Sequence, residues 1–299
     1  MRRLIIGKNK KDKIFSILLM LPGIIVICST IFFPIVNALY MSFLNYKLCA
    51  VRDYKWNNFE NYIELFKYGD LLSAMGITLK YMIIVVFLTF VSGLGLAIIL
   101  NREIKARKFL RSITILPWAI PTVITALLWM WIFQSQYGVL NYILVKLNII
   151  HEPIAWVTSI KFALISVIIA SLWRQIPFMS TMMLAGLQTI PAELYEAALI
   201  DGANKRQVFF KITLPMLRSV IKSTLLISII TNFKQFPLFW IMTGGGPINK
   251  TTTLAILNYK NSFVNLNFGK GAAVTACWVA LLVIFTLIYN KLFTTTYDD

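Results

Sequence analysis

Acids, histidine and cysteine are scarce in this 299-residue chain: it holds twelve Asp and Glu, one His and three Cys. His151 alone leaves a zinc or haem site without ligands. Cys28, Cys49 and Cys277 form no C-x-x-C pair and no metal-ligand spacing. Every acid falls outside six long apolar stretches, so none lies at depth for acid–base catalysis or for holding a coupling ion. These absences disfavour a membrane-embedded enzyme and a proton- or sodium-driven carrier. The G-x-x-x-x-G-K-[ST] loop that cradles nucleotide phosphates is also missing. Residues 244–251 imitate it, but no glycine directly precedes Lys250. The chain is therefore expected to bind no metal or cofactor and to leave ATP hydrolysis to another protein.

What the chain has in abundance is apolar surface. It is 58% hydrophobic and 14% charged, where a soluble domain carries about 25% charged residues. Six stretches are long enough to cross a bilayer: 14–42, 77–100, 113–133, 160–184, 217–242 and 272–292. Pro22 and Pro34 are expected to kink the first. Gly93 and Gly95 suit close packing of the second, and Pro117 and Pro121 interrupt the third. Trp129, Trp131 and Phe133 mark its watery end. A polar segment, 45–73, holds a short helix near 59–68. Residues 1–13 have the charge of a signal peptide, but the apolar run 14–44 is too long and lacks an A-x-A site. A large residue before Cys28 makes a poor lipoprotein box, so an uncleaved first span is expected.

The net charge of +17 comes without any nucleic-acid-binding motif and reads instead as a topology signal. The N-terminal tail carries six Lys and Arg, and the loop after the second stretch carries five. The loop after the fourth, with Arg218, adds more. Loops after the third and fifth stretches are poorer, and that after the first is mixed: Lys47, Arg52, Lys55 and Lys67 oppose Asp53, Glu60, Glu64 and Asp70. This alternation predicts six spans with both termini in the cytoplasm.

The basic loop after the fourth stretch, residues 191–215, has a helical pattern of its own. Pro191 suits a first turn, and Glu193 and Glu196 sit where the helix dipole favours negative charge. Leu194, Ala197, Ala198 and Ile200 form an apolar edge, Gly202 permits a turn, and a second short helix is expected over 204–213.

Glu196-Ala197-Ala198, three residues, Gly202, and then Ile212-Thr213-Leu214-Pro215 resemble the EAA loop of binding-protein-dependent ABC importer permeases. The likeness continues in Leu116-Pro117-Trp118-Ala119-Ile120-Pro121 and in Trp173-Arg174-Gln175-Ile176-Pro177-Phe178 ahead of Ala185-Gly186-Leu187-Gln188. Thr243-Gly244-Gly245-Gly246-Pro247, followed by Thr251-Thr252, is similar to a signature of the carbohydrate (maltose/glycerol-phosphate) branch. The resemblance covers about 72–292. It implies an all-α, six-span permease of the type I importer fold in a bacterial cell membrane. It divides the chain into a cytoplasmic tail (1–13), a first span with outer loop (14–71), a permease core (72–292) with the coupling loop at 190–215, and a C-terminal tail (293–299).

The same resemblance implies partners: a second permease, two ATPase subunits carrying ATP and magnesium, and an extracellular solute-binding protein. Glu193, Glu196, Ala197, Ala198, Asp201 and Gly202 would couple to the ATPase. Substrate would meet Ser171, Trp173, Arg174, Gln175 and Phe178 of the fourth span, and Thr231, Asn232, Lys234 and Gln235 of the fifth. Trp129 is a further aromatic candidate, whereas Trp118, between two prolines, reads as structural. Arg174 and Lys234 have no acid in any span to neutralise them, and a buried cation costs at least about 2.5–3.5 kcal/mol. That points to an acidic, uronate-containing oligosaccharide. It leaves open that Arg174 pairs with carbonyls freed by Pro177 and that Lys234 snorkels outward. Glycerol phosphate or a peptide as cargo, and a non-transporting membrane scaffold, are the remaining alternatives.

Overall fold

The computed structural model describes residues 10–48, 54–103 and 105–293, and their side chains over 15–48, 54–103 and 105–291. Cys49, Arg52 and Asp53, and most of both predicted tails, lie outside the described residues. Among the described residues there is no strand, only the isolated bridges Leu44–Trp56 and Lys47–Asn267. Lipid explains the bias: backbone polar groups in hydrocarbon must be satisfied within their own helix.

The first span is α1 (Lys10–Ile27), a π-helical turn at Cys28–Phe32, and α2 (Phe33–Met41). The π turn falls just ahead of Pro34, whose ring cannot accept the regular helical register. No described side chain of this span is buried over Phe15–Met41, although α2 runs alongside the last helix. A polar segment follows with α3 (Glu60–Lys67), where Asn61 ties the chain together by donating to the Ser42 and Leu44 carbonyls. Glu64 and Lys270 form an ion pair there.

The body is built on α4 (Asp70–Asn101) and α8 (Ala163–Leu187), which lie side by side. Between helices in lipid there is little hydrophobic drive, so close contact depends on small residues. A Cβ on Gly93 would come within 2.5 Å of Met179 Cγ, whereas one on Gly95 would meet nothing within 4 Å. Only Gly93 serves the packing expected of both.

Between them, α5 (Arg107–Ala119) and α6 (Thr122–Ile132) replace the single third span by a pair bent through 94°. Pro121 disfavours helical geometry at Ile120, which is extended at φ −70°, ψ 131°. Next comes α7 (Val139–Lys146) in the loop ahead of α8, where the Asn141 side chain gathers Ile154 and Trp156.

After α8 the coupling segment comprises α9 (Ala192–Ile200), α10 (Lys205–Val208), a π turn and α11 (Leu214–Met216). It leads into α12 (Arg218–Phe233) through a 66° bend. The fifth span does not run on to 242 as one helix. Pro237 has no N–H, and its ring would strike the Phe233 carbonyl. The chain therefore breaks at Lys234–Phe236 and restarts as α13 (Pro237–Thr243). A buried helix the apolar pattern did not separate, α14 (Leu254–Tyr259), then joins a π turn to α15 (Phe268–Phe293).

Three packed clusters hold the helices together. Leu71, Phe233, Leu254 and Val274 join α4, α12, α14 and α15. Tyr81, Ala126, Val167 and Phe239 join α4, α6, α8 and α13. Leu94, Met183, Leu187 and Leu217 close the end where the coupling segment attaches. Among the described residues four helical segments are long and apolar enough to cross a bilayer, or six if each bent pair is one span.

Candidate translocation cleft and coupling surface

The 94° break opens a cleft of about 250 Å3 between the ends of α5, the middle of α8 and α12, lined by Trp118, Arg174, Gln175, Phe178 and Thr231 among others. Two of these walls follow from α8 periodicity: Arg174 and Phe178 are one turn apart and face the same side. Trp118 stacks on Phe178, ring centroids 5.5 Å apart and planes 20° from parallel, so it is part of the cleft as well as of the proline segment.

Arg174 is the one charged residue among those lining the cleft. Its Nε donates to the Ile120 carbonyl at 3.3 Å. The carbonyl it caps is thus one exposed by the Pro121 break, not one freed by Pro177. The remaining guanidinium donors are left for other partners, since five N–H groups fan out from one plane.

Other predicted contacts are placed differently. Gln175 lines the cleft but also exchanges hydrogen bonds with Asn232, at 2.9 and 2.8 Å. Asn232 is 1% exposed and donates again to the Ser228 carbonyl. Ser171 is equally buried and bonds the Tyr81 hydroxyl at 2.6 Å, a group that Gln235 also reaches. Ser171 and Asn232 therefore join helices rather than face the cleft. Trp173 packs edge-on against Trp129, and neither lines the cleft. Lys234 is exposed at the break that ends α12.

Sequence reasoning missed Thr89 and Ser228, which complete the wall. Thr89 is one of three Ser and Thr residues in its apolar run, with Thr78 and Ser92. Its Oγ1 is buried without a hydrogen-bond partner and belongs to the same cleft. Among the described residues no group of His, Cys, Asp and Glu could hold a metal ion.

The candidate coupling surface, α9, is a helix with a tightly specified end. Ala203 N–H bonds the Ala198 carbonyl at 2.9 Å and Gly202 N–H bonds that of Leu199 at 3.1 Å, a Schellman ending. Gly202 sits at φ +73°, where other residues are strained. Asn204 and Gln207 then cap α10 reciprocally, side chain to backbone, at 2.9 and 2.8 Å.

Glu193, Glu196, Ala197, Asp201 and Gly202 are exposed, but Ala198 is buried at 7%. Its small side chain lets α9 approach its own chain. Beside these acids α9 also offers apolar side chains outward: Leu199 and Ile200 are 70% and 86% exposed.

Comparison with known proteins gives this arrangement a family. Residues 90–294 match the family described as binding-protein-dependent transport system inner membrane component. The chain belongs to that family. The permease is 34% identical over 275 residues to the trehalose/maltose transport system permease protein MalF of Thermococcus litoralis, covering 92% of each chain. It is 34% identical over 284 residues to the sulfoquinovosyl glycerol transport system permease protein SmoG of Agrobacterium fabrum, covering 95% of this chain and 92% of that one.

In fold it superposes on a bacterial ABC transporter involved in import of the acidic polysaccharide alginate. The TM-score is 0.81 at 22% identity, covering 97% of this chain and 98% of the other. The all-helical importer-permease fold follows, and so does the class of the protein: an inner-membrane transport subunit, not an enzyme, with ATP hydrolysis on a separate subunit.

Proposed function

We propose that the permease forms half of the translocation path of an ATP-driven importer for oligosaccharides, with a preference for those bearing carboxylates. The relatives named for trehalose/maltose and sulfoquinovosyl glycerol support the sugar class. The observation that carries the preference is Arg174, a lone cation in a cleft otherwise walled by neutral polar, aromatic and aliphatic residues. Rings such as Phe178 and Trp118 suit the faces of a sugar, and a guanidinium suits a carboxylate in two-pronged geometry.

With each bent pair counting as one span, both termini lie on the same side, and the basic N-terminal tail and loops support the cytoplasm as that side. A second permease completes the path, two ATPases bind the coupling surfaces, and a solute-binding protein delivers cargo from outside. Closure of the ATPases moves α9 and its counterpart together and turns the cleft from inward- to outward-facing. The exposed Leu199 and Ile200 are the contact through which α9 is moved.

Saccharide-stimulated ATP hydrolysis by the complete complex in lipid tests this reading. Uronate-bearing oligosaccharides should stimulate more strongly than neutral ones of equal length. Equal stimulation would overturn the acidic preference. Stimulation by glycerol phosphate or a peptide and by no saccharide would overturn the sugar class.

A further inference from the structure

Below the Arg174 cleft, α5 and α8 wall a second one of about 380 Å3 toward the coupling segment, lined by Arg111, Thr114, Ser180, Thr181 and Gln188 among others. Two of its polar atoms, Arg111 Nε and Ser180 Oγ, are buried without a hydrogen-bond partner. Ser180 is 1% exposed. The rest of Arg111 is engaged. Its Nη2 donates to the Leu100 carbonyl at 3.2 Å. With the Gln188 amide turned oxygen-inward, the guanidinium donates to it at 3.1 and 2.7 Å. A buried group left unbonded is costly and rare, and two in one cleft converge on a ligand with acceptor oxygens.

The two clefts share a seam. On α8, Arg174, Phe178, Thr181, Ala185 and Gln188 recur at helical spacing along one face, and on α5 Arg111, Thr114 and Trp118 do likewise. A stripe this polar is suited to a watery path rather than to lipid. Ser180 lies six residues beyond Arg174, about 9 Å along the axis. Each cleft contains one arginine as its sole charged lining residue.

We propose that the inner cleft is a second station for the translocated oligosaccharide, where Arg111 receives its carboxylate and Ser180 bonds one of its hydroxyls after it leaves Arg174. This rests on the reading of the permease as an importer of uronate-bearing oligosaccharides. Two stations of like charge divide the descent into steps, each holding the cargo firmly enough to accept it and loosely enough to pass it on. No covalent step is involved.

The test uses the complete importer, both permeases, ATPases and binding protein, in vesicles supplied with a uronate trisaccharide or a neutral one. Ser180→Ala is the decisive variant. A merely structural serine with an unbonded hydroxyl predicts unchanged uptake and an unchanged or higher melting temperature. A contact to cargo predicts about fivefold slower uptake of the uronate trisaccharide without loss of thermal stability. Arg111→Gln should slow uronate uptake more than neutral uptake, and Arg111→Lys should restore part of it. If Arg111→Gln fails to assemble, Ser180→Ala still decides.

Wild-type uptake by Ser180→Ala, in a complex that saccharide does stimulate, would overturn the inner station alone. An Arg111→Gln defect confined to vesicles containing anionic lipid would assign the cleft to a headgroup phosphate and also overturn it. A wild-type complex that answers to no saccharide would overturn the importer reading and this inference with it.

Discussion

Gln175 and Asn232 hold α8 and α12 together by a reciprocal amide pair, each donating to the other at 2.9 and 2.8 Å. Asn232→Leu would leave the Gln175 amide buried and unpaired, a cost of about 1–3 kcal/mol. The expected outcome is a lower unfolding midpoint for the purified complex. The double variant Gln175→Leu/Asn232→Leu should recover much of it, because apolar partners leave no orphan. A double-mutant cycle in detergent measures this, and additivity of the two single effects would contradict it.

Gly93 and Gly95 should part company. Alanine at 93 brings a Cβ within 2.5 and 2.7 Å of Met179 Cγ and Cβ and within 3.2 Å of the Ser180 backbone nitrogen, so α4 and α8 must separate. The Gly93→Val protein should assemble poorly, as read by the yield of intact complex. Gly95→Ala should match wild type, since nothing lies near its Cβ.

Gly202→Val tests the end of the coupling helix. There is open space around its Cβ, so the cost is conformational: φ +73° suits glycine and is worth about 1–2 kcal/mol against a β-branched residue. Basal ATP hydrolysis should persist while uptake falls. Gly202→Asn, which tolerates the left-handed region, should retain most uptake. Wild-type uptake by the valine variant would refute the link.

Leu199→Asp and Ile200→Asp place charge on the outward face of α9, where the side chains are 70% and 86% exposed. The folded permease should be unaffected in its own melting behaviour yet recover less ATPase on co-purification. Full recovery of ATPase by both variants would show that the contact lies elsewhere.

Arg174→Gln removes the one charge of the upper cleft and the donor to the Ile120 carbonyl. Uptake of uronate-bearing saccharide should fall at least tenfold more than uptake of its neutral counterpart, about 1.4 kcal/mol of selectivity. Arg174→Lys should keep charge preference but bind more weakly, because an ammonium lacks the planar fork. Competition between labelled saccharides reads both.

Much of this molecule is legible in one dimension, because lipid imposes a length and composition on every crossing. The ends of α8 and α15 and the far end of α4 lie close to those the apolar runs indicate, whereas α4 begins at Asp70, ahead of the run at 77. The coupling helix and its glycine ending follow from spacing alone, since capping and left-handed backbone are local matters. Arg174 announces itself as a cation with no acid nearby.

What the chain order could not convey is how α5, α8 and α12 meet. Ser171 and Asn232 look as available to cargo as Gln175, yet burial of both against Tyr81 and Gln175 turns them into helix fasteners. Ala198 looks outward-facing but supports α9 from within. Pro121 and Pro237 mark in the sequence where the helices break, but the 94° angle at Ile120 is set only in three dimensions. The linear sequence by itself determined which segments are apolar and helical enough to cross a bilayer, for hydrocarbon thickness and backbone saturation act segment by segment. Only tertiary structure decided which polar side chains face a cleft, because that turns on the rotation of one helix against another, set by contacts such as Gly93 on Met179.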